Sequence, residues 1–275
     1  MKKLPTAEIG IFGGSGFYSF LTRDHPRDAE PLVQKINLTT PYGKPSAPVT
    51  LAKISGRKVA FLPRHGEKHQ FPPHKIPFKA NIEAFKMLGV KYIISPCSAG
   101  SLKKEVKPGS FVILDQFLDR THGRDDTFYH GPEVVHIGGA KPYCPDLQKI
   151  AIKACQTLKI PVHKSGTAVV INGPRFSTTS ESAYFSKLGF EVINMTQYPE
   201  VILAREKEMC FLGIALITDF DAGLAGKVKP VELKEVLEVF AKNNEKSKKL
   251  IFEIIKNLPQ KVDCSCSTAL TGAKI

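Results

Sequence analysis

Residues 180–221 read SESAYFSKLGFEVINMTQYPEVILAREKEMCFLGIALITDFD. Ser180 to Leu188 reads as a helix and Val192 to Thr196 as a strand. Glu200 to Met209 is a second helix. Phe211 to Thr218 is a second strand, which ends in Asp219-Phe220-Asp221. Such alternation predicts an α/β layered fold with a mixed, mostly parallel central sheet flanked by helices. The same pattern holds outward from there. Glu8 to Phe12 is a strand entering Gly13-Gly14-Ser15-Gly16. Val49 to Ile54 and Lys58 to Leu62 form a hairpin around Ser55-Gly56. Phe78 to Leu88 is a helix ending at Gly89. Tyr92 to Ser95 is a strand running into a small-residue loop, Cys97-Ser98-Ala99-Gly100-Ser101. Residues 119–145 form a long irregular excursion, and such segments are usually functional. Glu232 to Leu258 is a long helix. No linker or repeat interrupts the chain, so one domain is expected over residues 1–275, with a tail from about 260.

Composition narrows the function classes. The 275 residues are 42% apolar, enough to bury a core, which excludes intrinsic disorder. No apolar run approaches a membrane span, and no long apolar stretch follows the first lysines, so a cytoplasmic protein without a membrane partner is expected. The net charge is +13, from 39 basic and 26 acidic residues. The excess leans toward the first ninety residues but forms no arm, and no nucleic-acid motif is present, so no nucleic-acid partner is expected. Lysine enrichment with few glutamines is a pattern of hot-living sources. The six cysteines are scattered and include no C-x-x-C, which argues against a zinc or thioredoxin-type motif. Cys264-Ser-Cys266 stays open between a redox pair, a strained small-ring disulfide and two free thiols.

Several strand ends carry chemistry, and ligands of such folds bind beyond the carboxyl ends of strands. The first glycine loop offers N–H groups and the Ser15 hydroxyl to a phosphate; a plain tight turn is the simpler reading. Arg64 brings a fork of donors and His65 a donor or proton shuttle, against the commoner fate of an Arg paired with a carboxylate. Residues 97–102 let a ligand approach the backbone, or let a helix pack closely. Thr196 can donate to an anion, while Met195 packs on a sugar or simply fills the core. Asp219 and Asp221 are two apart in a strand and so face one pocket, unless they are a turn or capping pair. Two such carboxylates repel, one pKa rises, and the protonated member can serve a leaving group.

Jointly, IGIFGGSGF, PRHGEKH, AGSLKKEVKPG, DQFLDRTHGR, GPRFST, NMTQYPE and TDFD resemble the trimeric purine nucleoside phosphorylase family, most closely its 5′-methylthioadenosine phosphorylase branch. The resemblance runs from Ile9 to about Leu258. It implies a single α/β domain assembled as homotrimers or paired trimers, with phosphate as co-substrate and neither cofactor nor metal. It implies that Ser15, Arg64, His65 and Thr196 hold phosphate. The small-residue positions of that site fall on Cys97 and Ser98; a thiol is a poor donor, which leaves backbone N–H groups at Ser98 or Ala99. Met195 lies beneath the ribose, and Phe176 and Ser177 lie near the base. Asp219 and Asp221 recognise the base, and an Asp pair suits a 6-aminopurine. Leu233, Val236 and His136 line the methylthio pocket, His136 coming from a neighbouring subunit.

The implied reaction is phosphorolysis of 5′-methylthioadenosine, with adenosine also admissible because an apolar pocket rejects one hydroxyl weakly. The alternative is a broad-specificity phosphorylase acting on adenosine, inosine and guanosine. A nucleoside hydrolase would need no phosphate. A dinucleotide-dependent dehydrogenase would need an acidic residue at a second strand end, where Asp28 and Glu30 lie instead in a polar stretch. Disulfides Cys144–Cys210 and Cys264–Cys266 are carried as hypotheses.

Overall fold

The computed structural model describes residues 4–13, 29–226, 233–261 and 263–275; the side chains of 29–33, 225–226, 233–237 and 240 lie outside that description. In chain order the elements begin with β1 (Ile9–Gly13), β2 (Ala29–Ile36), β3 (Val49–Ile54), β4 (Arg57–Pro63) and α1 (Phe78–Met87). Next come β5 (Tyr92–Ser101), β6 (Phe111–Ile113), β7 (Gln116–Arg120) and α2 (Pro145–Thr157). Then follow β8 (Val162–His163), β9 (Thr167–Ile171), α3 (Thr179–Lys187), β10 (Val192–Asn194) and α4 (Gln197–Glu206). The last are β11 (Cys210–Phe220), α5 (Ala222–Gly226) and α6 (Leu233–Asn257).

All eleven strands join one sheet in the order β2-β3-β4-β1-β5-β10-β9-β7, with β11, β6 and β8 continuing from the other edge of β5. The pairings of β1 with β4 and β5, of β9 with β7 and β10, of β5 with β11 and of β6 with β8 are parallel. The expected mostly parallel mixed sheet is therefore what forms. Side chains alternate across it with the two-residue strand period. Ile9 and Ile11 join the apolar layer under α2 and α6, and Phe12 joins the one under α1 and α4. Gly10 lets that second layer close, since a Cβ there would stand 2.9 Å from the Phe85 ring of α1. On α6, Leu250, Ile251, Ile254 and Ile255 are fully buried, each stabilising the fold by about 1.5–3 kcal/mol.

One expectation changes. Residues 97–101 are not a loop: β5 continues through them to Ser101, because β11 pairs with it along its whole length. The tail is docked. Its 3₁₀ turn Ser265–Thr268 buries Cys266, and Lys274 bridges to Val135. The excursion after β7 is irregular, as expected, and Thr127 and the Phe128 amide both donate to Glu206 of α4, each at 2.7 Å.

Candidate active site

The site begins with a break in a ladder. One edge of β5 pairs with β1 up to Ile94 and with β10 only from Gly100. Between these points, among the described residues, only the opposite edge is paired, to β11. Successive peptide groups of a strand turn to alternate sides. The Leu102 amide donates to Glu191 before β10, and the Pro96 carbonyl accepts from Arg64, so even-numbered residues face the break. Pro96 has no N–H. The amide aimed into the break is therefore that of Ser98, not Ala99. A cavity of about 660 Å³ opens there, lined by Arg64, His65, Cys97, Ser98, Thr196, Phe176, Ser177, Met195, Asp219 and Asp221. That volume suits a small-molecule ligand.

Arg64 follows β4 directly and is 1% exposed. Its Nε and Nη2 donate to the two carboxylate oxygens of Glu200. Nη2 also reaches Ser95 Oγ at 2.7 Å, and Nη1 the Pro96 carbonyl at 3.2 Å. A guanidinium has five N–H groups, so one remains for a ligand. The fork expected to grip an anion thus grips a buried carboxylate. His65 stacks on His69, with ring centroids 4.5 Å apart. Its Nδ1 lies 2.9 Å from the Phe71 carbonyl, which can only accept, so Nδ1 carries the proton and Nε2 is an acceptor. Burial, then the Arg64 charge, hold its pKa down to about 4, and the ring is neutral at physiological pH. Cys97 accepts from Asn194 Nδ2 at 3.6 Å, and burial pushes its thiol up to about 12.

The Asp219-Phe220-Asp221 pair sits beyond Gly100. β11 slips register between Ile217 and Asp219, and Asp221 lies one residue past the strand. Both carboxylates nonetheless line the one cavity, as expected. Gly100 makes the room: a Cβ there would stand 3.0 Å from Asp219 Oδ1 and 3.1 Å from Asp221 Cβ. Burial, outweighing the Thr218 hydroxyl that donates at 2.6 Å and helped by Asp221, raises Asp219 to about 6. Asp221 is also raised by burial, against the pull of the Ser182 and Ser177 hydroxyls. Met195 packs under the loop after β9, where Gly173 at φ +65° leaves space that a Cβ would take from its sulfur. Phe176 is 63% exposed, at the cavity rim.

Ser15 lies outside the described residues, as do the side chains of Leu233 and Val236. His136 is exposed, does not line this cavity and donates its amide to Ala273 at 2.8 Å. Two residues that organise the site escape sequence reasoning. Glu200 is fully buried against Arg64, 136 positions away. Arg124 donates to the carbonyls of Tyr198, Asn172 and Met195, tying three chain segments together. Both occur inside quoted motifs, but only the fold shows what they hold.

This fold matches that of a known enzyme class. The chain belongs to the phosphorylase superfamily, whose family model matches residues 8–256. Within it, S-methyl-5′-thioadenosine phosphorylase of Thermofilum pendens is 48% identical over 270 residues, covering 98% of each chain. Among solved structures, a methylthioadenosine phosphorylase from an antarctic soil metagenomic library matches with TM-score 0.91 and 34% identity, over 99% of this chain and 93% of that one. Methylthioadenosine phosphorylase from Schistosoma mansoni in complex with adenine matches with TM-score 0.89 and 32% identity, over 98% and 99%. Among the described residues no helix is long and apolar enough to cross a membrane.

Proposed function

We propose that this protein catalyses phosphorolysis of 5′-methylthioadenosine to adenine and 5-methylthioribose 1-phosphate. One observation carries the reading: along a single break in β5, anion-accepting groups stand near Pro96 and Ser98, and two carboxylates with raised pKa stand beside Gly100. Phosphate sits in the break, held by the Ser98 amide, the Thr196 hydroxyl, the last N–H of Arg64 and Ser15, with Cys97 as neutral wall. His65 Nε2 accepts from a protonated phosphate oxygen. The C1′–N9 bond breaks with its electron pair going to the base, and the bound anion stabilises the cationic sugar before its oxygen bonds to C1′. Asp219, which its raised pKa of about 6 keeps partly protonated near neutral pH, donates to N7 of the leaving adenine, with Asp221 beside it. Met195 supports the ribose, and Phe176 and Ser177 flank the base. Leu233 and Val236, with His136 from a second copy, enclose the methylthio group. The chemistry requires no cofactor and no metal.

The names of the relatives and the adenine in the Schistosoma mansoni structure support this substrate class. The working unit is a single domain over residues 1–275, assembled as a homotrimer or paired trimers in the cytoplasm. The test is base release from methylthioadenosine, adenosine, inosine and guanosine, with and without phosphate. Methylthioadenosine is expected to react fastest, adenosine more slowly, and none without phosphate. Phosphate-independent release would mean a hydrolase. Equal rates for inosine would mean the broad-specificity enzyme.

A further inference from the structure

Four of the six cysteines meet on the far side of the sheet from the site. Cys144 caps the N-terminus of α2 and Cys210 opens β11, while Cys264 and Cys266 come from the docked tail. Their four sulfurs all lie within 4.8 Å of one another, with Cys210 and Cys264 at 3.4 Å. None is bonded to another. Each sulfur has more than one sulfur neighbour, so the set is a four-cornered cluster rather than two separate pairs. A tetrahedral tetrathiolate with zinc–sulfur bonds of about 2.3 Å has sulfurs about 3.8 Å apart, within the range seen here.

We propose that Cys144, Cys210, Cys264 and Cys266 bind one zinc ion as a closed, structural tetrathiolate site. Three of the four are buried and Cys264 is half-buried, in the apolar layer under α2 and α6. Four protein ligands without an open position are the pattern of a structural rather than a catalytic zinc. Binding releases the thiol protons to solvent and forms four zinc–sulfur bonds without any redox change. The net negative charge of such a centre is met by the positive end of the thirteen-residue helix α2, whose Asp146 and Leu147 amides face the Cys144 sulfur. Sequence spacing had argued against zinc because no C-x-x-C is present. The fold instead joins one C-x-C pair to two cysteines 54 or more positions upstream of it.

The bound ion would clasp the tail to the body of the protein. Downstream of the clasp, the tail pairs with the excursion: Lys274 meets Glu133 at 2.7 Å, and the Ile275 amide donates to Val134 at 3.1 Å. The experiment is metal analysis of the full-length protein, purified with a reductant and without chelators, then equilibrated with zinc sulfate and desalted. About one zinc per chain is expected, released when a mercurial titrates the thiols. Cobalt substitution should give the thiolate-to-cobalt absorption of a tetrahedral site. The double variant Cys264→Ser/Cys266→Ser should lose the zinc and melt several degrees lower, while Cys155→Ser, outside the cluster, keeps it. Less than a tenth of an equivalent of zinc in the reduced wild-type protein would overturn the proposal. So would an intact mass, in protein isolated without reductant, showing these cysteines paired as disulfides.

Discussion

The two ends of the cavity face the same physics and answer it oppositely. Near β4, burial strips a proton from His65 and drops its pKa to about 4. Beside Gly100, burial keeps a proton on Asp219 and lifts its pKa to about 6. A low-dielectric site disfavours charge of either sign, so it leaves a neutral base at one end and an acid that keeps its proton to higher pH at the other. Even Arg64, the one permanent cation among the described residues of the pocket, is matched by buried Glu200. The end of the site beside β4 is therefore nearly neutral before an anion enters it.

Breaking the acid end should have the largest effect. Asp219→Asn keeps the shape but has no proton to give, so kcat for methylthioadenosine should fall about 10²–10⁴-fold with little change in phosphate KM. A large change in phosphate KM with kcat intact would move the residue to the other end. At the base end, Glu200→Ala strands a buried guanidinium and should cost about 3–5 kcal/mol in chemical denaturation. Phosphate should then raise the melting temperature of Glu200→Ala more than that of the wild type, because the freed N–H groups of Arg64 can take the anion.

The raised pKa of Asp219 also has a stability consequence. The folded state holds that proton more tightly than the unfolded chain, so the wild type loses stability as pH climbs from about 4 to 6, by up to about 3 kcal/mol. Asp219→Asn should be the more stable protein above pH 6 and show no advantage below pH 4, read by denaturation at each pH. The smallest effect is sought outside the cavity's charge pattern. Arg124→Lys replaces a planar fork by one ammonium, which cannot span the carbonyls of Tyr198, Asn172 and Met195. The nucleoside KM should rise about tenfold, the loss of one charge-assisted hydrogen bond, with phosphate KM unmoved.

What was legible in the chain follows the range of the forces involved. The alternation in residues 180–221 is local periodicity, and α3, β10, α4 and β11 appear within a few residues of their predicted bounds. The strand-end residues were legible because motifs keep them adjacent in sequence. The continuation of β5 was not, because Pro96 and a run of small residues look like a loop until β11 pairs with them. Glu200 read as an ordinary polar residue of a helix, since its partner is remote in the chain. Arg124 was hidden for a related reason: its partners are carbonyls, which every residue has.

The break in β5 gives the site an unusual mutational profile. The donor aimed into it at position 98 is a peptide amide, so Ser98 can drift to alanine, glycine or threonine without removing it. Only proline deletes that N–H, and among the described residues the edge has no neighbouring strand at this point to suffer from the change. Side chains at positions 97 and 98 can thus change while the N–H aimed into the break stays.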